Sequence, residues 1–158
     1  MGPDDPGSNP GSPIFDFKME HRKISIILFY DWRGNILLQD RRNKSRFGEE
    51  FGFFGGGIEK GETPKQALIR EVKEELGVEL KRFQFFKKYY KVLKNIDKSA
   101  DLYLFLAPMP DLNKINVQEG KKFLTTIDDA INLNVLAWDK DILREVQEYI
   151  KSKTPRII

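Results

Sequence analysis

Apolar residues fall in short runs along this chain rather than in long unbroken stretches. The longest run, ISIILFY at residues 24–30, has the length and β-branched content of a buried strand. Together with NILLQD at 35–40 it predicts two strands, over 23–31 and 35–40, that are joined at the turn-like WRGN sequence. No run approaches the roughly 18 apolar residues that a transmembrane helix needs.

Four later segments also have the composition of strands, and a polar loop at 41–50 precedes them. They lie at residues 51–57 (FGFFGGG), 81–93, 101–108 and 121–126. The second and third of these predict a hairpin across KNIDKSA, at residues 94–100.

The segment 63–76 carries start and stop signals of a helix. Thr63 and Gln66 form a capping box, and Pro64 takes the first helical position, where its missing N–H costs nothing. Gly77 follows as a C-terminal stop. Three apolar residues recur at every fourth position and predict the buried stripe of this helix: Leu68, Val72 and Leu76.

Residues 127–133 predict a helical turn, and residues 140–153 a terminal helix. Because strands and helices interleave irregularly, the pattern predicts an α/β (α+β) fold with a mixed central β-sheet and helices on both faces. The chain length of 158 residues suits one domain. Residues 1–18 are rich in Pro, Gly, Ser and Asp and predict a disordered, vector-derived leader, so the domain is expected at 19–158, with Met19 as a native start.

The amino acid composition narrows the possible chemistry. There is no cysteine, which excludes disulfides, thiolate catalysis and cysteine-ligated zinc and fits a cytoplasmic protein. The single histidine, His21, excludes a multi-histidine metal site. Any metal must be held mainly by oxygen, which favours magnesium, manganese or calcium. The net charge of +3 is compatible with an anionic substrate.

The predicted helix gathers an unusual density of carboxylates. Glu71, Glu74 and Glu75 lie at positions i, i+3 and i+4, so their side chains converge on one face and destabilise the helix unless cations lie between them. One interpretation is a solvated acidic face with Lys65 and Lys73 as neighbours. The other is a metal site, which the preceding GGG favours because glycine lets the backbone approach and offer a carbonyl oxygen.

These residues and their spacing match a family motif. The order is Gly, five residues, Glu, seven residues, Arg-Glu, a bulky aliphatic residue, any residue, Glu-Glu, any residue, Gly and a second bulky aliphatic residue. It resembles the Nudix box, and the sequence fills every position of it with Gly56, Glu62, Arg70, Glu71, Val72, Glu74, Glu75, Gly77 and Val78. The order of elements around the box resembles the αβα sandwich of that family, in its MutT-like form.

The resemblance implies a pyrophosphohydrolase that cleaves a nucleoside diphosphate linked to a group X, by attack of metal-activated water on phosphorus. Mg²⁺ is the implied cofactor, with Mn²⁺ as a substitute. The implied ligands are the Gly56 carbonyl oxygen, Glu71, Glu74 and Glu75. Arg70 would orient a glutamate, so the candidate catalytic residues are Glu71, as a candidate base, Glu74 and Arg70. Glu62 is either an outer ligand or a partner of Arg70.

Residues outside the box complete the expected site. Glu119 lies where family members often have a further acidic ligand, although a lone glutamate is also an ordinary surface charge. Arg41 and Arg42 end a predicted strand, from which either guanidinium could reach phosphate oxygens. Phe47 is a candidate for stacking on a base. The expected partner is a small-molecule nucleotide, and no membrane partner is expected.

Two other functions stay open. One is a catalytically silent Nudix domain that binds a nucleotide or a partner, although the complete set of glutamates argues against it. The other involves nucleic acid, either as an RNA 5′-end pyrophosphohydrolase or through FFKKYYK at 85–91. Its aromatic and lysine residues are typical of surfaces that bind single strands. The same letters also describe an ordinary two-sided strand, which is the preferred interpretation.

Overall fold

The computed structural model of this chain describes residues 20–43, 48–93, 97–117, 121–135 and 137–153, without the side chains of residues 137 and 138. The predicted leader, Met19, Phe47 and Glu119 lie outside the described residues. The strands are β1 (Glu20–Tyr30), β2 (Asn35–Asp40), β3 (Phe51–Gly52), β4 (Phe54–Gly57), β5 (Gln84–Leu93), β6 (Lys98–Pro108) and β7 (Lys121–Thr126). The helices are α1 (Pro64–Leu76), α2 (Ile127–Ala130) and α3 (Ala137–Lys153), with a 3₁₀ turn at Leu112–Lys114.

One mixed sheet contains all seven of these strands, with β1 at its centre. β1 pairs in parallel with β6 over its whole length, while its other edge pairs antiparallel with β4 near the start and with β2 near the end. The main path runs β3-β2-β1-β6-β5, and β7 is added to β2. The predicted β5–β6 hairpin and the predicted mixed sheet are both confirmed.

A helix covers each face of the sheet, as predicted. On one face, α1 buries its apolar stripe of Leu68, Val72 and Leu76 against strand residues that include Ile27, Phe29 and Phe54. On the other face, α3 packs against strand residues that include Ile26, Leu28 and Leu104. The described part of the chain contains no helix long and apolar enough to cross a membrane.

The signals at the ends of α1 act as the sequence predicts. The side chain of Thr63 accepts a hydrogen bond from the Gln66 backbone N–H. In return, the side chain of Gln66 accepts a hydrogen bond from the Thr63 backbone N–H. Gly77 takes a left-handed conformation with φ of 66° and its N–H bonds back to Lys73. One contact that the sequence does not predict fixes the start of α1 on the sheet: the buried Ser25 Oγ donates to the Pro64 carbonyl oxygen at 2.7 Å.

Several predicted bounds differ from the structure, and pairing between distant segments decides those of the strands. β1 begins at Glu20 rather than at residue 23, β5 begins at Gln84 rather than at residue 81, and α2 spans Ile127–Ala130 rather than 127–133. The segment 51–57 is two strands, since β3 pairs with β2 and β4 pairs with β1. β6 begins at Lys98, ahead of the predicted start at 101, because Lys98 already pairs with Glu20. α3 begins at Ala137 rather than at residue 140.

Candidate active site

The glycine segment of β4 lies tightly against β1. Gly55 has a φ of 139°, and a Cβ atom added to it would lie 2.1 Å from the Ser25 carbonyl oxygen and 2.8 Å from the Ile26 Cα. Both the backbone angle and the space therefore require glycine at this position. This close pairing fixes the next residue, Gly56, opposite Ser25 of β1.

Gly56 brings the backbone of β4 directly under a carboxylate of α1. A Cβ atom at Gly56 would lie 2.4 Å from Cδ of Glu71 and 2.6 Å from each of its oxygens. Only a residue without a side chain allows this approach. Glu71 is one turn along the helix from the buried Leu68, so the packing of α1 on the sheet holds its carboxylate over the glycine backbone.

Arg70 is the cation that compensates the carboxylates. Its Nε and Nη2 atoms donate to the two oxygens of Glu62 at 2.7 and 2.8 Å. Its Nη1 atom donates to Oε1 of Glu71 at 2.8 Å and makes a longer contact of 3.5 Å with Oε2 of Glu74. Nη2 also donates to the Gly57 carbonyl oxygen at 3.0 Å. One guanidinium thus joins α1, the loop before it and the glycine segment.

The hydrogen bonds of Glu62 lower its affinity for protons. The bonds from Arg70, followed by one from the Glu59 backbone N–H, lower the pKa of Glu62 to about 2. The hydrogen bond with Glu62 is also the largest cause of the raised pKa of Arg70. Glu62 therefore stays ionised across the physiological range and acts as the fixed anchor of the guanidinium.

The acidic side chains of α1 differ in exposure. The side chain of Glu71 is 17% exposed and that of Glu74 is 60% exposed. Glu75 is half-buried, with its Oε2 atom shielded from solvent. As the side chains stand, no group of three His, Cys, Asp or Glu residues in the described ranges is arranged to hold a metal ion. The structure thus brings Glu71 to Gly56 and to Arg70, and leaves Glu74 at the solvent side of the same cluster.

Comparison with known proteins identifies the family. The family model for the NUDIX domain matches residues 19–146. The chain belongs to the Nudix family. An 8-oxo-dGTP diphosphatase of Proteus vulgaris is 38% identical over 64 residues, which are 39% of this chain and 57% of that protein. An 8-oxo-dGTP diphosphatase of Escherichia coli K12 is 33% identical over 70 residues, 44% of this chain and 54% of that protein.

This chain spans about half the length of the curated relatives that it matches. Among solved structures, a MutT protein from Methanosarcina mazei Go1 superposes with a TM-score of 0.71 at 17% identity, over 87% of this chain and 99% of that protein. This likeness confirms the predicted sandwich with a mixed sheet. The cluster around Arg70 is therefore the Nudix box of a Nudix domain.

The two arginines that follow β2 direct their side chains to opposite faces of the sheet. Arg41 donates from Nη1 to the Gln39 side chain at 2.7 Å and from Nε to Glu49 at 3.2 Å. Gln39 is two residues from Leu37, which packs with α1, so these contacts lie on the face of the sheet that α1 covers. We call α1 the Nudix helix from here on. Arg42 instead forms a two-pronged ion pair with Asp40, at 3.0 Å from Nε and 2.6 Å from Nη2.

Three residues at the site were not predicted from the sequence. Ser25 positions the start of α1 over the sheet through its hydrogen bond to Pro64, and the Gly57 carbonyl oxygen accepts a hydrogen bond from Arg70. Glu49 is buried beside Arg41. The sequence could have pointed to Ser25, since a serine stands out within the apolar run ISIILFY. Nothing in the sequence distinguishes Glu49, because it lies in a polar loop among other charged residues.

Replacing Glu62 with Gln is expected to change how the stability of the fold depends on pH. A carboxyl whose pKa is lower in the folded state than its ordinary value of 4.5 stabilises the fold fully above that value. This contribution is lost as the pH falls from 4.5 towards 2. The free energy of unfolding of Glu62→Gln should therefore lie below that of the parent at neutral pH, and the gap should narrow in acid. Urea unfolding from about pH 7 to about pH 3 measures both curves.

Glu79→Gln is the matched control, because Glu79 forms its ion pair with the exposed Lys73 at the protein surface. An exposed pair of this kind contributes little to stability, so its gap should be small at every pH. Parallel pH curves for Glu62→Gln and the parent protein would contradict the anchoring role of Glu62.

Proposed function

We propose that this chain is a divalent-metal-dependent pyrophosphohydrolase that cleaves a nucleoside diphosphate linked to a group X. The observation that carries the proposal is the Glu71 carboxylate, held against the backbone of Gly56 by the packing of α1 and by Arg70. A solvated acidic face would require neither a glycine beneath the carboxylate nor a guanidinium with four hydrogen-bond partners. The names of the relatives, 8-oxo-dGTP diphosphatases, support this reaction class.

The donor set fits a hard divalent cation. The side chains at the cluster offer oxygen only, which suits Mg²⁺ or Mn²⁺. The missing Cβ of Gly56 leaves room for the Glu71 carboxylate and the glycine backbone to approach each other directly. We propose that Glu71, Glu74, Glu75 and the Gly56 carbonyl oxygen hold the ion, with Glu119 as a further ligand.

When bound, such an ion neutralises the pyrophosphate and lowers the pKa of a water molecule. Arg70 keeps Glu71 in place and, through Glu62 and Gly57, ties it to the loop before the helix. Glu71 is the candidate base that takes the proton of the attacking water. Water adds to phosphorus, the P–O bond of the anhydride breaks, and two phosphate-containing products leave.

The proposed contacts with the substrate lie on the face of the sheet that the Nudix helix covers. Arg41 lies on that face, and Gln39 and Glu49 orient its guanidinium, so we propose that it contacts phosphate oxygens. We propose the same role for Arg42, which lies just after the end of β2. It is the weaker candidate, because its guanidinium is already paired with Asp40. Phe47 is proposed to stack on the base.

A panel of anhydrides tests the function. Nucleoside triphosphates, 8-oxo-dGTP, ADP-ribose, dinucleoside polyphosphates and triphosphate-ended RNA are incubated with Mg²⁺, with Mn²⁺ or with a chelator, and phosphate-containing products are measured. We expect turnover of at least one nucleotide with either metal and none with the chelator. Nucleotide binding without turnover would instead indicate a silent Nudix domain. Preference for RNA ends over free nucleotides would indicate the RNA 5′-end activity.

A further inference from the structure

The edge strand β5 presents apolar side chains to solvent. Phe85 is 54% exposed, Tyr90 is 64% exposed and Val92 is 36% exposed. The other aromatic residues of the strand point to the opposite face, where Tyr89 is buried and Phe86 packs against Tyr149. The segment FFKKYYK is therefore two-sided, as preferred from the sequence, but its outer side is aromatic rather than purely polar.

A β-bulge puts these exposed residues in one row. The pairing of β5 with β6 shifts register between Phe85 and Lys87. Without the shift, Phe85 and Lys88 would face opposite sides, because side chains alternate along a strand. With it, the residues of the row pair with β6 residues that share one face. The partners are Phe105 for Phe85, Tyr103 for Lys88, Asp101 for Tyr90 and Ser99 for Val92. We call Phe85, Lys88, Tyr90 and Val92 the aromatic row.

The side chain of Tyr90 lies beside a histidine that polar contacts hold in place. Its ring centroid lies 5.9 Å from that of His21 on β1, so the side chain reaches over β6. His21 is itself held by a 2.7 Å contact from Nδ1 to Ser99 Oγ and a 3.3 Å contact from Nε2 to Asp101. The ring of Tyr90 thus lies beside that of His21 and remains largely exposed, so a base can stack on it.

The charge of this strand complements an anionic chain. Residues 81–93 contain five cationic side chains and no acidic one: Lys81, Arg82, Lys87, Lys88 and Lys91. Two of them lie on the opposite face, where Lys87 pairs with Glu145 and Lys91 lies beside the Tyr89 ring. Lys88 belongs to the aromatic row, with Nζ 5.3 Å from the ring centroid of Tyr103. The Asp101 carboxylate lies between His21 and Lys88 and is only 15% exposed. On the face of the row, the exposed charge of β5 is therefore the positive charge of Lys88.

We propose that the aromatic row is a binding surface for single-stranded nucleic acid. Exposed rings accept bases by stacking, whatever their sequence, and neighbouring cations follow the phosphate backbone. Side chains two residues apart on one face of a strand are separated by about 6.8 Å, which spaces Lys88, Tyr90 and Val92 evenly along β5. The ligand class is a flexible, unpaired RNA or DNA strand.

This surface is separate from the candidate active site. β5 and β4 lie on either side of β6 and β1, three strand spacings or about 14 Å apart. Both lie on the face that α1 covers in part, since Phe105 and Tyr103 pack with the α1 cluster. Binding by the row needs neither the carboxylates nor a metal ion, so it does not depend on the proposed hydrolysis.

Fluorescence anisotropy with labelled oligouridylate and oligodeoxythymidylate tests the proposal. The measurement is made in a chelator at ~50 mM salt, where phosphate contacts are strong and hydrolysis is absent. We expect saturable binding of both oligonucleotides. Tyr90→Ser should weaken it by about tenfold, the equivalent of one lost stack, while Tyr90→Phe should retain it. Lys88→Gln should reduce the slope of log affinity against log salt by about 0.7.

Trp32→Ser is the matched control, because Trp32 is 68% exposed and also has a cation beside it, but it lies in the β1–β2 turn. It should leave binding unchanged. Equal losses in Tyr90→Ser and Trp32→Ser, or no saturable binding, would overturn the proposal. Sedimentation is measured in parallel. Self-association that Tyr90→Ser abolishes, without an effect on the oligonucleotides, would overturn it in favour of a contact between copies of this chain.

Discussion

Glu74→Gln is expected to lower the rate of pyrophosphate hydrolysis by roughly a thousandfold, with little change in the stability of the fold without added metal. A metal site supplies several kcal/mol of transition-state stabilisation, and about 4 kcal/mol corresponds to this factor. Glutamine keeps the shape and helix propensity of glutamate but is a much weaker ligand. The proposed ion would lose one of its carboxylates.

The structure explains why the fold should tolerate this change. The Glu74 side chain is 60% exposed, and its contact with Arg70 is the long one of 3.5 Å. Arg70 keeps its two bonds to Glu62 and its bond to Glu71. Removal of one charge from a crowded acidic helix relieves repulsion at i, i+3 and i, i+4 spacing, so the melting temperature without metal should stay level or rise slightly.

Paired melting curves with and without Mg²⁺, next to a hydrolysis assay, measure both effects. The upward shift in melting temperature on adding Mg²⁺ should shrink in Glu74→Gln, since a ligand stabilises in proportion to its occupancy of the folded state. Glu59→Gln is the control, because Glu59 is 69% exposed and lies 3.8 Å from Arg70, outside the helix. Near-parental rates and an unchanged Mg²⁺ shift in Glu74→Gln would show that Glu74 is not a ligand.

Alanine at each of the three glycines of β4 should give three different results. Gly56→Ala places its Cβ within 2.6 Å of the Glu71 carboxylate, which is the far end of a flexible side chain. The carboxylate should move aside and the chain should fold. A catalytic group displaced by about 1 Å costs on the order of a hundredfold in rate, and we expect a loss of that size.

Gly55→Ala should act on folding instead. Its Cβ would meet the backbone of β1, 2.1 Å from the Ser25 carbonyl oxygen, at a φ of 139°. Backbone cannot move aside as a side-chain end does, and the angle alone costs about 1–3 kcal/mol. We expect a loss of stability of more than about 3 kcal/mol, with activity lost together with the fold.

Gly57→Ala is the matched control, since the nearest atom to its Cβ is Nη2 of the exposed Arg22, at 3.2 Å. It should keep both stability and activity close to those of the parent. Urea unfolding and turnover are measured for all three variants. Loss of stability in Gly56→Ala equal to that in Gly55→Ala would show that the space above Gly56 is structural and does not serve Glu71.

The sequence by itself determined the elements and the family. The bounds of α1 follow from Thr63, Pro64, Gln66 and Gly77, because caps and stops act over one helical turn and need no tertiary partner. The buried stripe of α1 follows from its period in the same way. The Nudix box is also a pattern in one dimension, so the family could be inferred before the fold was known. The mixed sheet followed from the irregular order of strands and helices.

Only the tertiary structure decided which groups meet. Glu62 and Arg70 are eight residues apart, and their two-pronged pair depends on how the loop before α1 folds back on the helix. The contact of Ser25 with Pro64 and the parallel pairing of β1 with β6 join segments separated by 39 and 78 positions. No local propensity encodes contacts at such separations.

The face that a side chain takes was likewise decided by pairing. From the sequence, Phe85 and Lys88 alternate to opposite sides of β5, and a single bulge brings them to the same side. In the same way, Arg41 joins Gln39 on the face of the sheet that the Nudix helix covers, while its neighbour Arg42 joins Asp40 on the other face. A shift of one residue in register moves a side chain across the sheet, and register is set by the partner strand, so such placements became known only with the fold.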